Sequence, residues 1–340
     1  MARAARLAAP LFRDREAAAA NLCVLSWTTF GWLGSFALMA SGSVALDALG
    51  VLLCVHTMVL AAYLVHEAAH QTLFAPPRAN RCAGEAMSFI AGSSYASFER
   101  IRHMHIRHHV ERADLTCFDY LGLLRRHPTL LHALQILEWA YVPASELLMH
   151  AQVVVRPFFV VSQRPYLGRA IAMLLVRGAL LAALAWWSPQ AFALYWLATL
   201  LLLHVLNFFD TFHHTYDQFF VAPDQALPRI ERERGYEQAN TYSNVISIRH
   251  PWLNLLTLNF GYHNAHHQRA SLPWYRLPTL HRSLYGEGTP AVMPLRELLR
   301  SWHANRVRRV CADGYGTFGE GPGRADGFVG AHGVSFLTVV

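Results

Sequence analysis

Three short stretches of this chain concentrate residues able to bind a metal ion. The first is His66-Glu67-Ala68-Ala69-His70. On a helix, positions i and i+4 share a face, so both imidazoles would meet one ion. Alone the pattern is ambiguous, because the same spacing with a glutamate as general base marks zinc proteases. The second stretch is His103-Met104-His105-Ile106-Arg107-His108-His109. His105 shares a helix face with His108 and His109, whereas those two neighbours diverge by about 100°, which suits two adjacent metals better than one. His103 is one step off this pattern and reads as a neighbour of the ligands or a solvated residue. The third stretch, His263-Asn264-Ala265-His266-His267, repeats the second spacing, with Asn259 four residues ahead. Asp210-Thr211-Phe212-His213-His214 offers a further imidazole, and Asp210 and His214 are spaced to share a helix face.

The chain carries 20 histidines, about three times the usual share for its length. Leaving out His103, eight of them in the three stretches, with one further imidazole from the pair after Asp210, exceed the roughly four ligands of a zinc site. Neutral imidazole also suits iron, which takes more ligands and can activate oxygen. The five cysteines are scattered and form no CxxC pair, which argues against a disulfide framework and against cysteine-based metal sites.

Positioning these groups requires long apolar helices. Apolar residues make up 54% of the 340-residue chain and charged residues 15%, a balance that points to lipid as part of the solvent. Four runs, near 22–40, 46–65, 170–187 and 191–209, are long enough to cross a bilayer. They come as two pairs joined by tight connections, which predicts two helical hairpins. The first histidine stretch follows the second run directly, and Asp210 to His214 follows the fourth. Arg177 lies inside the third run; it is expected to snorkel, or else the helix starts later than drawn. Leu130 to Val161 mixes apolar and polar residues and predicts one or two helices on or partly in the membrane interface. His127, His132, His150, His281, His303 and His332 read as solvated or capping residues. His56 and His204 read as satisfied helix histidines.

Every basic side chain is arginine. The arginines gather in the N-terminal arm (Arg3, Arg6, Arg13, Arg15), between the hairpins and after the fourth run, and neither hairpin turn contains one. The positive-inside rule then places both termini and the histidine stretches in the cytoplasm. The net charge of +7 belongs with an anionic membrane surface rather than with nucleic acid, because the arginines form no stripe interleaved with aromatic residues. The alanine-rich, lysine-free composition suggests a GC-rich bacterial genome and so an inner-membrane location.

The boxes HEAAH, HIRHH and HNAHH, their order and the paired apolar hairpins resemble the membrane fatty-acid desaturase superfamily, which includes alkane hydroxylases and carotenoid ketolases. The likeness runs from about Leu60 to Leu284 and is closest over Leu256 to Pro278. It implies an all-α integral membrane fold of four transmembrane helices with a cytosolic helical cap that carries the boxes, over residues 1–312. A glycine-rich tail at 313–340 is expected to be loosely ordered. It implies two non-haem irons held by His66, His70, His105, His108, His109, His263, His266 and His267, with a further ligand after the fourth helix, His214 before His213. Asp210 would then stand where a water-mediated polar ligand is expected. Glu67, His213, Asn259 and His103 are further candidates for the layer behind the ligands. The implied reaction is oxygen-dependent desaturation of an acyl chain; a hydroxylase or ketolase with the same metals, and less so an intramembrane zinc protease, are the alternatives. The first box has three spacers rather than the family's four, and Val221 to Glu237 looks like an insertion. No electron-donor domain or nucleotide-binding glycine motif is visible. Electrons are therefore expected from a separate carrier of the ferredoxin or rubredoxin type.

Overall fold

The computed structural model describes residues 11–116, 118–216, 219–221, 232–286, 292–319, 323–331 and 337–338. Arg3, Arg6, His332 and most of the stretch read as an insertion, 222–231, lie outside them. Among the described residues the chain is mostly helical. Four helices are long and apolar enough to cross a membrane: α1 (Ala18–Met39), α2 (Val44–Ala69), α8 (Leu167–Trp187) and α9 (Pro189–Thr211). Ser188 starts α9 by accepting from the Ala191 amide, with Pro189 in the first turn, where no amide hydrogen is needed.

The long helices are not equivalent. Within the apolar windows, 67% of α2 and 44% of α9 is buried inside the protein, against 17% around α1 and 6% around α8. The inner pair, α2 and α9, therefore carries the histidines at its ends, and the outer pair is left to face lipid. The α1–α2 and α8–α9 turns meet at one end of the molecule. There the Gln190 amide donates to Asp47 Oδ2 at 2.6 Å and to the Met39 carbonyl at 3.2 Å. The C-terminal ends of α2 and α9 consequently lie together at the other end.

Between the long pairs run α3 (Pro77–Ala91), α4 (Phe98–Glu111), the short strand β1 (Asp114–Thr116), α5 (Tyr120–Arg126), α6 (Pro128–Trp139) and α7 (Ala144–Phe159). The last two fall on the stretch predicted to be interfacial and leave Ile136, Trp139 and Phe159 exposed. After α9 come β2 (Phe219–Val221), α10 (Arg234–Ala239), α11 (His263–Gln268), α12 (Leu277–Tyr285) and α13 (Leu295–Arg309). β1 and β2 pair in parallel, with Asp114 opposite Phe219. This pair is a small departure from an all-α chain.

Three expectations change. α8 starts at Leu167, earlier rather than later than drawn, so Arg177 stays within it. Its guanidinium is satisfied inside the protein: Nε donates to Ser94 Oγ at 3.1 Å, Nη2 to the Phe89 carbonyl, and the group lies over the Phe89 ring. It thus serves the C-terminal end of α3, where helix carbonyls lack partners. His281 is buried between Tyr262 and Tyr285 rather than solvated. The tail is packed where it is described: Ala325, Phe328 and Val329 are buried. The Ala331 amide donates to the Thr211 carbonyl at 3.2 Å. Glycine content there reflects close approach, since a Cβ on Gly330 would stand 2.3 Å from the Thr211 side chain.

α4 reaches its place because Gly84 of α3 leaves room for the Phe98 ring; a Cβ there would lie 2.2 Å from it. Gly84→Ala is expected to push α4 away, destabilise the protein by about 1–3 kcal/mol and displace the second histidine stretch. Thermal unfolding in detergent, compared with the exposed control Gly178→Ala, measures this; equal melting temperatures would contradict the packing role.

Candidate metal centre

The C-terminal turn of α2 carries His66, and His70 caps it one turn later. α4 carries His105, His108 and His109, started by Ser97, whose Oγ accepts from the Arg100 amide. The third set lies on α11, behind a turn in which Leu258 and Asn259 both adopt positive φ. His214 follows the end of α9. These four segments bring nine imidazoles into two groups. His66, His70, His105, His109 and His266 form one; His108, His214, His263 and His267 form the other. Within each, the candidate ligand atoms all lie within 4.8 Å of one another.

The contacts are made by the outer ring nitrogens. In the five-histidine group Nε2 separations are 3.0 Å for His66–His266, 2.7 Å for His70–His105, 3.2 Å for His105–His109 and 3.0 Å for His109–His266. In the four-histidine group they are 3.0 Å for both His214–His267 and His263–His214. The second and third stretches divide in opposite senses. α4 sends His105 and His109 to the larger group and His108 to the smaller. α11 sends His266 to the larger and His263 and His267 to the smaller. The two groups are thereby laced to each other through shared helices.

Burial and neighbouring imidazoles keep His105, His108, His109, His263, His266 and His267 neutral, and burial alone does so for His214. Burial lowers His108 to about 4, with His214 adding to the effect, and lowers His214 to about 3. Burial, then neighbouring imidazoles, hold His105, His109, His263, His266 and His267 well below the ordinary histidine value. Neutral rings present lone pairs, and lone pairs converging on a common point repel unless a cation stands among them. Nδ1 of His109, His263 and His266 has no hydrogen-bond partner, so no competing contact turns these rings elsewhere. The donor set fits metals that accept several imidazoles.

A carboxylate layer orients the smaller group. His267 Nδ1 contacts Glu237 Oε1 at 2.9 Å, and Arg112 Nε holds Glu237 at 3.0 Å. Asp114 Oδ1 lies 3.3 Å from His214 Nδ1, whereas His108 Nδ1 contacts the Ala113 carbonyl at 2.8 Å and stands 3.8 Å from Asp114. Such partners fix the ring and raise its basicity toward a metal. Sequence reasoning missed Asp114, Glu237 and Arg112. Asp114 stands five residues after the second stretch, and Glu237 closes the segment read as an insertion; neither has a spacing that marks it.

The residues expected behind the ligands take varied places. Glu67 is buried; its Oε2 accepts from Thr72 Oγ1 at 2.5 Å and from the Trp274 amide at 3.1 Å. It ties the first stretch to the chain after the third, and this commitment removes it from the role of a protease base. Asn259 donates to the Trp274 carbonyl at 3.1 Å, bracing the same junction. His213 contacts Asn244 Oδ1 at 3.0 Å and stacks on His263 with ring centres 3.8 Å apart, outside both groups. Asp210 is half-buried and also outside them. It shares no helix face with His214, because α9 ends at Thr211. His103 is exposed and joins neither group.

Two outcomes follow for the isolated protein. The unfolded chain takes up protons at His108 and His214 near 6.5, whereas the folded chain does so only near 4 and 3. Stability of metal-free protein is therefore fully present above 6.5 and is lost as pH falls through that window. Melting temperatures that do not change from pH 7.5 to 5 would contradict it. Glu237→Gln should weaken metal retention by about 10–100-fold, read by competition with a chelator.

A sequence model described as fatty acid desaturase matches residues 43–298, about three quarters of the chain. No curated protein and no solved structure matches it. The matched span contains both histidine groups, both carboxylates that orient them, and all of α2, α8 and α9. The chain belongs to the fatty acid desaturase family.

Proposed function

We propose that this protein desaturates an acyl chain, as a fatty acid or acyl lipid, using dioxygen at a histidine-ligated pair of non-haem irons. The observation that carries the reading is the pair of adjacent, nitrogen-only groups at the end of the two inner helices. Irons bound there would supply the oxidising power toward an unactivated C–H bond that no side chain possesses.

The chain's own contributions are orientation and exclusion of water. Nine rings from four segments are held by packing and by Asp114 and Glu237, so the ligands need little rearrangement to receive metal. Apolar space adjoins the inner helices. A cavity of about 340 Å³ is lined by Trp32, Leu180, Leu184 and Trp187. A second, of about 300 Å³, is lined by Met58, Thr199 and Leu202. Arg177, Leu181 and Tyr195 border both. Such space suits an aliphatic chain entering from lipid.

Removal of two hydrogens supplies only half of the electrons needed to reduce dioxygen to two waters. The remaining two must come from an external donor, of the ferredoxin or rubredoxin type. Arginine placement argues for a cytoplasmic centre, with both termini on that side of a bacterial inner membrane.

Metal analysis and lipid profiling test the reading. Purified protein should contain iron in preference to zinc, and a host expressing the gene should gain lipids lighter by two hydrogens. His105→Ala and His266→Ala should each abolish that product. Lipids heavier by one oxygen would replace desaturation with hydroxylation; zinc alone would sink the di-iron reading.

A further inference from the structure

We infer that the segment beyond the family-matched span is part of the metal-holding site, with Tyr315 as a positioning residue for the four-histidine group. The Tyr315 hydroxyl donates to Asp114 Oδ2 at 2.6 Å. The other oxygen of Asp114 is the one that faces His214. Asp114 is 1% exposed, and a carboxylate so buried needs hydrogen-bond donors to stay in place. Tyr315 supplies one on the side away from the imidazoles, which leaves Oδ1 directed at the rings.

The tail is built to deliver this hydroxyl. The Gly330 amide donates to the Tyr315 carbonyl at 3.0 Å, and the Thr317 amide to the Gly327 carbonyl at 3.1 Å, which folds the segment back on itself. Phe328 then packs on Phe212, ring centres 5.1 Å apart, two residues before His214. Arg309 of α13 holds the Val329 carbonyl at 2.6 Å, and Ser301 holds that of Phe328. Tyr315 and the residues that strap it lie after position 298, where the family match ends. This chain therefore orients one of its candidate ligands, His214, from outside the part it shares with the family.

The inference rests on the four-histidine group holding a metal, as proposed above, and not on which bond is oxidised. Tyr315→Phe keeps the ring and removes only the hydroxyl. The full-length protein in detergent, loaded with ferrous iron, is challenged with a chelator, alongside Asp114→Asn and the double variant. Tyr315→Phe should lose metal selectively from one of two sites, with retention there weakened by about 10–100-fold. The double variant should be no worse than Asp114→Asn, because the hydroxyl acts through that carboxylate. Unchanged retention in Tyr315→Phe, additive losses in the double variant, or a lowered metal-free melting temperature with unchanged retention would each overturn the inference. A parent protein that binds no iron would instead sink the metal reading itself.

Discussion

Nine buried and half-buried imidazoles aimed at two points impose the dominant constraint on this fold. Their outer nitrogens meet one another at 2.7–3.2 Å. Left alone, that arrangement is unfavourable, and the surrounding structure exists to hold it. The inner helices α2 and α9 are more buried than α1 and α8, and their ends deliver histidines to one place. The turns at the far end are tied by Gln190 and Asp47, so the ends that carry His66 and His214 stay level with each other.

Around the rings, polar groups are used for orientation more than for stability. Glu67, Thr72, Asn259 and the Trp274 backbone form a brace between the first and third stretches. Glu237 and Arg112 perform the corresponding task for His267, Asp114 for His214, and the Ala113 carbonyl for His108. Burial pushes both carboxyl groups up; His108 and then Tyr315 oppose this at Asp114, and Arg112 opposes it at Glu237. Both groups draw rings from α4 and α11; the smaller one takes its fourth ring, His214, from the chain just beyond α9, where Asp114 faces it.

Apolar cavities lie among the long helices, bordered by residues of α1, α2, α8 and α9. Arg177 is a charged group at the edge of both. It is stabilised by the Ser94 hydroxyl and the end of α3 rather than by an acid, a solution that neutralises helix carbonyls and a guanidinium together.

Much of this was legible in the chain before folding. Periodicity is local, so i, i+3 and i+4 spacing named the ligand-bearing stretches, and run length located the four long helices. The nine imidazoles that the fold gathers are those that spacing and family resemblance had singled out. Local spacing does not reveal how the rings divide. His66 meets His266 across 200 positions, and His108 joins His214 rather than its own helix neighbours. That partition depends on the angles at which four segments approach. Asp114, Glu237 and Tyr315 escaped notice for the same reason: each matters through a partner distant in the chain. A glycine-rich tail reads as loose because composition reports backbone freedom. Only packing against Thr211 and Phe212 shows that the missing side chains were making room.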